Sequence, residues 1–301
     1  MSLSLTTPIV EPCPHQITGA HRRQFAELGY VAFEGVLAPG EVHSARAALA
    51  VVARRLIQAA RCGQTQVLQA PPNAPRNYAG PRVVKPGCGC SIHFEAGVDP
   101  LALSDDEAEL CFGKLAGYEH EHPAFAALVA HPRMRGFLSH LVGQEMVLKD
   151  VMALSKPPFL GSEKPWHQDN AYFNWLPLEW VATTWIALDD ATVGNGCMHL
   201  LPGQHRRGPL RHHHTIDCKI VADRIDPAQA IPVEVPAGSV LYFSAMLPHQ
   251  TPANTNPQRR RALQFQYRGA ACRQVSHEEF GRAFAEADGT PASCALAYQT
   301  G

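Results

Sequence analysis

Along the first 143 residues the apolar positions recur mainly at helical spacing. In "TGAHRRQFAELGYVAFEGVL", Phe25 and Leu28 lie on one helix face, Thr18 can cap the helix and Gly29 can end it. Tyr30 to Val36 reads as a strand. Pro39-Gly40 then turns the chain into a long helix over 41–60, again with apolar residues at helical spacing. Ser104 and Glu107 have the spacing of a capping box, and helix is predicted over 104–114 and 122–141. Residues 62–92 are rich in Gly, Pro and Asn, show no period and predict loop.

From about residue 144 the texture changes to short apolar runs separated by turn residues. "EMVLKDVMALSKP", "VATTWIALDD", "CMHLLPG", "IPVEVP", "GSVLYFSAM" and "RALQFQYRG" each read as a strand. Such a succession predicts an antiparallel sandwich or barrel. The boundary near 143 has no linker composition, so the N-terminal helices are expected to pack on the sheet. The fold class is therefore α+β, mainly β. One domain is expected over 1–301: a mostly helical part at 17–143, a β core at 144–270 and a tail at 271–301.

Composition narrows this picture without redirecting it. Lys plus Arg is 26 and Asp plus Glu is 27, so no global field draws the chain to nucleic acid or an anionic membrane. No apolar run reaches the roughly 18 residues of a membrane span. Nine cysteines, odd in number and scattered, with no signal-peptide pattern before them, suit reduced thiols and a cytoplasmic protein.

The chemistry is concentrated in "PWHQDNAYFNW", residues 165–175. His167 and Asp169 are two apart, a spacing that can aim two side chains at one small object. A divalent metal is such an object, since imidazole and carboxylate both ligate first-row metals. His249 follows the strong strand pattern "GSVLYFSAM" and supplies a third ligand. Two histidines and one carboxylate are the donor set of the non-haem iron facial triad, although zinc hydrolases also use such ligands. A 2-oxoglutarate co-substrate has a second carboxylate to be held, which an arginine fork suits. "QRRRALQ" offers Arg259, Arg260 and Arg261. Alternation groups Arg260 with Ala262 and Gln264, and Arg261 with Leu263 and Phe265, without saying which face is inward.

The segments "QFAELGYVAFEGVL", "WHQDNAYF", "TTWIALDDATVGNGCMHLLPGQH", "GSVLYFSAMLPHQT" and "NTNPQRRRALQF" together resemble the phytanoyl-CoA dioxygenase (PhyH) family of iron- and 2-oxoglutarate-dependent oxygenases. "SIHFEAG", "CFGKLAGYEHEHPAF" and "SKPPFLG" look most like its phytanoyl-CoA dioxygenase domain-containing protein 1 branch. The resemblance implies a double-stranded β-helix, a cupin-like jelly roll, with Fe(II) on His167, Asp169 and His249. It implies that Arg260 grips the distal carboxylate of 2-oxoglutarate, helped by Thr251. Trp185 and Met152 would line that pocket, Gln168 would flank the triad, and Lys114 would reach in from the helical region. Because Asp169 stands where halogenating relatives lack a carboxylate, the implied outcome is hydroxylation of a small-molecule substrate by O₂, with release of succinate and CO₂.

The rival readings are a cupin-like metal-dependent hydrolase or isomerase, which needs no arginine for a second carboxylate, and a binding protein that keeps only the pocket. The histidine-rich "RHHHT" is dense, but adjacent side chains in a loop seldom converge on one metal. His205 is expected to fix a turn, and Trp166 and Trp175 to form core or pocket wall.

Overall fold

The computed structural model describes residues 8–214 and 217–294, with helices layered on one face of a large sheet. The first helix spans Gly19–Leu28; Thr18 accepts from the His21 amide, and Gly29 ends it at φ 82°. Gly29 is also needed for space, because a Cβ there would lie 2.6 Å from Nδ1 of His205. His205 reaches this junction from the turn after the strand Met198–Leu200, its Nε2 3.1 Å from the Ala26 carbonyl oxygen. The long helix, Pro39–Arg61, buries Val42, Ala45, Leu49, Val52 and Leu56 along one face.

Ten strands form the large sheet, in the order Val10–Pro12, Tyr30–Glu34, Val240–Ser244, Val181–Ala187, Arg260–Gly269, Met146–Lys156, Phe112–Ala116, Ser91–Phe94, Arg82–Val84 and Gln66–Leu68. Ile231–Val233, Met198–Leu200, His249–Thr251 and Lys164–His167 form a smaller sheet. Strand alternation separates two cores. Val240, Tyr242, Leu263, Phe265, Ala182 and Ile186 join the core beneath the helices. Their sequence neighbours Leu241, Phe243, Ala262, Trp185 and Ala187 join a second core with Met198, Leu200, Ile231 and Val233 of the smaller sheet. Burying each large apolar side chain here is worth roughly 1.5–3 kcal/mol. The result is the mainly-β α+β fold that the alternating texture predicts.

The N-terminal part departs from expectation. Six of the ten strands lie before residue 143, so this region is half of the sheet as well as its helical cover. Residues 62–92 are not simply loop: Gln66–Leu68, Arg82–Val84 and the start of Ser91–Phe94 are strands. Runs of three or four residues between Gly and Pro are too short to show a period. The helix expected over 104–114 stops at Leu110, and Phe112–Ala116 is a strand. Gly113 helps permit that pairing, since a Cβ there would meet Glu95 Oε1 at 2.8 Å. Lys114 therefore projects from a strand, not from a helix. The helix expected over 122–141 is broken into Pro123–Val129 and Pro132–Val142, each with Pro in its first turn.

Cys218 and Cys294 are joined in a disulfide, contrary to the expectation of nine reduced thiols. No described helix is long and apolar enough to cross a membrane.

Candidate active site

His167 ends its strand, His249 begins the neighbouring one, and the two are directly paired in the smaller sheet. Their ring centroids are 4.1 Å apart. Asp169 opens the helical turn Asp169–Tyr172, and its Oδ1 lies 3.6 Å from His167 Nε2 and 3.8 Å from His249 Nε2. One ligand atom from each residue falls within 4.8 Å of the others, and all three residues are buried.

The surrounding bonds aim these atoms inward. His167 Nδ1 is 2.8 Å from the Pro165 carbonyl oxygen, and His249 Nδ1 is 2.9 Å from that of Leu247. A carbonyl only accepts, so each Nδ1 carries the proton and each Nε2 presents a lone pair. Asp169 Oδ2 accepts from Thr183 Oγ1 at 2.6 Å and from Gln264 Nε2 at 3.4 Å, which leaves Oδ1 toward the histidines. Burial, and then the neighbouring His167, pushes the His249 imidazolium down to about 3. Burial would raise the Asp169 carboxyl, but the bonds and charges of His167, His249 and Thr183 outweigh it and hold it below the usual range. A neutral imidazole beside an ionised carboxylate is the donor chemistry a divalent metal requires.

Of the three adjacent arginines, two are paired. Arg259 donates from Nη1 to both carboxylate oxygens of Glu109 at 2.9 and 3.0 Å, and Arg261 makes a fork to Asp189 from Nε and Nη2 at 2.8 and 2.9 Å. Arg260 alternates to the opposite face, with Ala262 toward the smaller sheet. It is 1% exposed, and among the described residues it has no carboxylate partner. One nitrogen is 3.4 Å from the Leu154 carbonyl oxygen, Nε has no partner, and the guanidinium carbon lies 5.5 Å from the Trp185 ring centroid. Burial lowers its pKa to about 10. A cation so placed fits a ligand carboxylate.

Trp185 and Met152 both pair with Gln264, so they share its row of the sheet beside Arg260. Thr251, buried, lies two residues past His249. Lys114 pairs with Leu154 across the sheet, and burial, then the charge of Lys164, lowers its ammonium pKa to about 8. Gln168 flanks the triad, but its amide is committed elsewhere. It donates to the Met246 and Gly208 carbonyls at 2.7 and 3.0 Å and accepts from the Leu210 amide at 2.8 Å. Gln168 thus clamps the backbone behind the triad, and His212 joins it by accepting from the Gln168 amide at 3.1 Å.

Several supporting residues carried no recognisable mark in the sequence. Thr183 and Gln264 are inward strand positions whose alternation could have nominated them. The ammonium of Lys164 bonds Tyr172 Oη at 2.7 Å and also Asp217, building one wall beside His167. This network joins residues distant along the chain, and no local pattern encodes it.

Residues 25–262 match the family model described as phytanoyl-CoA dioxygenase (PhyH). The chain is 29% identical over 159 residues to "Phytanoyl-CoA dioxygenase" of Arabidopsis thaliana, an alignment covering 51% of this chain and 56% of that protein. It is 25% identical over 273 residues to "Phytanoyl-CoA dioxygenase domain-containing protein 1" of Danio rerio, covering 83% and 89% of the two chains. Among solved structures, the non-heme alpha ketoglutarate dependent carbocyclase SnoK from nogalamycin biosynthesis superposes with a TM-score of 0.62 at 23% identity, over 87% of this chain and 89% of that one. That likeness is one of fold.

Proposed function

The chain belongs to the phytanoyl-CoA dioxygenase family, and from that membership we propose that it is an Fe(II)- and 2-oxoglutarate-dependent dioxygenase hydroxylating an aliphatic C–H of a small molecule. The observation that carries this reading is Arg260, a buried cation that has no carboxylate partner among the described residues, on the strand beside the triad. A hydrolase using the same three ligands has no need of it. His167, Asp169 and His249 would hold the iron on one side and leave the other side open. With both bound, iron and 2-oxoglutarate supply the oxidising chemistry, O₂ being consumed and succinate and CO₂ released.

The protein's own residues bind, orient and exclude water. Thr183 and Gln264 hold Asp169 so that one oxygen faces the metal position. Arg260 takes the distal carboxylate against Trp185 and Met152, with Thr251 and Lys114 as further contacts. Burial of all three metal ligands keeps bulk water from the reacting centre. The reading is tested by a dioxygen-consumption screen with Fe(II), 2-oxoglutarate and pooled metabolites, reading succinate. Succinate formed in step with dioxygen loss and a metabolite raised by one oxygen atom is expected. Metabolite turnover that is independent of dioxygen and 2-oxoglutarate would assign the triad to hydrolytic or isomerase chemistry.

A further inference from the structure

Strand pairing sets Lys156 directly opposite Arg260. Directly opposed residues share a sheet face, and like charges so placed destabilise the pair. Here both are also out of water, with Lys156 4% and Arg260 1% exposed. A buried charge is costly unless an opposite charge compensates it. Two other cations of this neighbourhood meet that requirement: Arg259 has Glu109 and Arg261 has Asp189. Lys156 and Arg260 have carbonyl oxygens instead.

The Lys156 ammonium donates to the Ser162 carbonyl and, at 3.3 Å, to the Thr251 carbonyl. An ammonium has three donors, and these two bonds leave one. Its stem packs against Gly196, where a Cβ would fall 2.7 Å from Lys156 Cδ, so the side chain has little freedom to turn away. Glu95, the buried acid on the far side of Ser162, accepts from the Ser162 amide at 3.1 Å. Burial, then the Arg260 charge, pushes the Lys156 pKa well below its ordinary value. Two adjacent buried cations and the backbone of Thr251 thus converge with one negative charge missing.

We propose that Lys156 is a further cation of the co-substrate site, beside Arg260 and distinct from Lys114, so that the pocket binds the distal carboxylate between Lys156 and Arg260 and selects dicarboxylic over monocarboxylic 2-oxo acids. This rests on the functional reading above and adds a positioning and specificity role that the triad and Arg260 do not contain.

The test is anaerobic titration of Fe(II)-loaded protein with 2-oxoglutarate and with 2-oxopentanoate, which has the same chain length without the distal carboxylate. Wild type, Lys156→Met and Lys156→Gln are compared by the visible band of the chelated keto acid. The glutamine variant keeps an N–H donor group, one bond shorter, and removes the charge. Both variants should lose about 10- to 100-fold in 2-oxoglutarate affinity, the range for a hydrogen bond to a charged group, with 2-oxopentanoate affinity unchanged. An equal loss for both keto acids, no loss for either, or failure of both variants to bind iron would make Lys156 a structural tie and overturn the proposal. Wild type that binds iron but not 2-oxoglutarate overturns the functional reading itself, a result distinct from any of these.

Discussion

Asp169 turns Oδ1 toward His167 and His249 and Oδ2 toward Thr183, and the two oxygens can be tested separately. Changing Asp169→Asn removes the anionic ligand and should reduce Fe(II) affinity by more than 100-fold on the order of magnitude expected above outer-shell losses. Thr183→Val keeps shape and deletes the hydroxyl on Asp169 Oδ2, so a loss of about 10- to 100-fold is expected. His213→Ala, at an exposed position in the histidine-rich segment, should leave Fe(II) binding unchanged. Metal titration of the three variants checks this order; full affinity in Asp169→Asn would remove the triad from consideration. At this scale the clustering of His167, Asp169 and His249 was legible because His-x-Asp and a histidine after a strong strand leave a local trace. Thr183 was not, since a threonine on a strand has the same appearance whether or not it bonds a carboxylate. His212 lies in the histidine-rich segment for which no shared metal was expected, and its ring accepts from the Gln168 backbone amide.

Alternation along the strand Arg260–Gly269 puts Arg260 and Arg261 on opposite faces. Its period was readable in the sequence, but the inward face was not, because that depends on which sheet lies above it. The observed layers put Leu263 and Phe265 under the helices and Ala262 between the sheets, and Arg260 follows Ala262. Three alanine substitutions should therefore separate by effect. Arg260→Ala should cost about 2–5 kcal/mol, roughly 30- to several thousand-fold, in 2-oxoglutarate affinity. Arg259→Ala strands the buried carboxylate of Glu109 and should instead lower folding stability by about 3–5 kcal/mol. Arg261→Ala breaks the partly exposed pair with Asp189 and should affect stability less, with co-substrate affinity retained. Chemical denaturation and anaerobic titration of the same three proteins give both readouts. A large affinity loss confined to Arg261→Ala would mean that the strand's faces are exchanged. The short strands over 66–94 escaped sequence reading for a related reason: an element of three or four residues has no period to detect, and its partners alone define it.

Across the whole molecule, the residues before 143 complete the sheet from both of its edges. A chain starting at 144 would lack six of ten strands and the helices that cover Val240, Tyr242 and Phe265. It would expose the long strand Met146–Lys156 as an open edge. Such a fragment should show no cooperative thermal transition; a sharp transition would mean that the β region folds independently. The mainly-β character was legible because six strand patterns follow one another after 144, whereas the ten-stranded extent was hidden in segments that looked like helix and loop. This scaffold brings the His167–Asp169–His249 cluster and the buried Arg260, which has no carboxylate partner among the described residues, to one interior, and together they are proposed to hold Fe(II) and 2-oxoglutarate. The most direct measurement is an anaerobic visible spectrum of the protein as Fe(II) and then 2-oxoglutarate are added. A weak charge-transfer band is expected that saturates with one equivalent of iron, is absent in Asp169→Asn, and needs far more 2-oxoglutarate in Arg260→Ala. No band in wild-type protein that binds Fe(II), with zinc restoring a hydrolytic activity, would contradict this proposal.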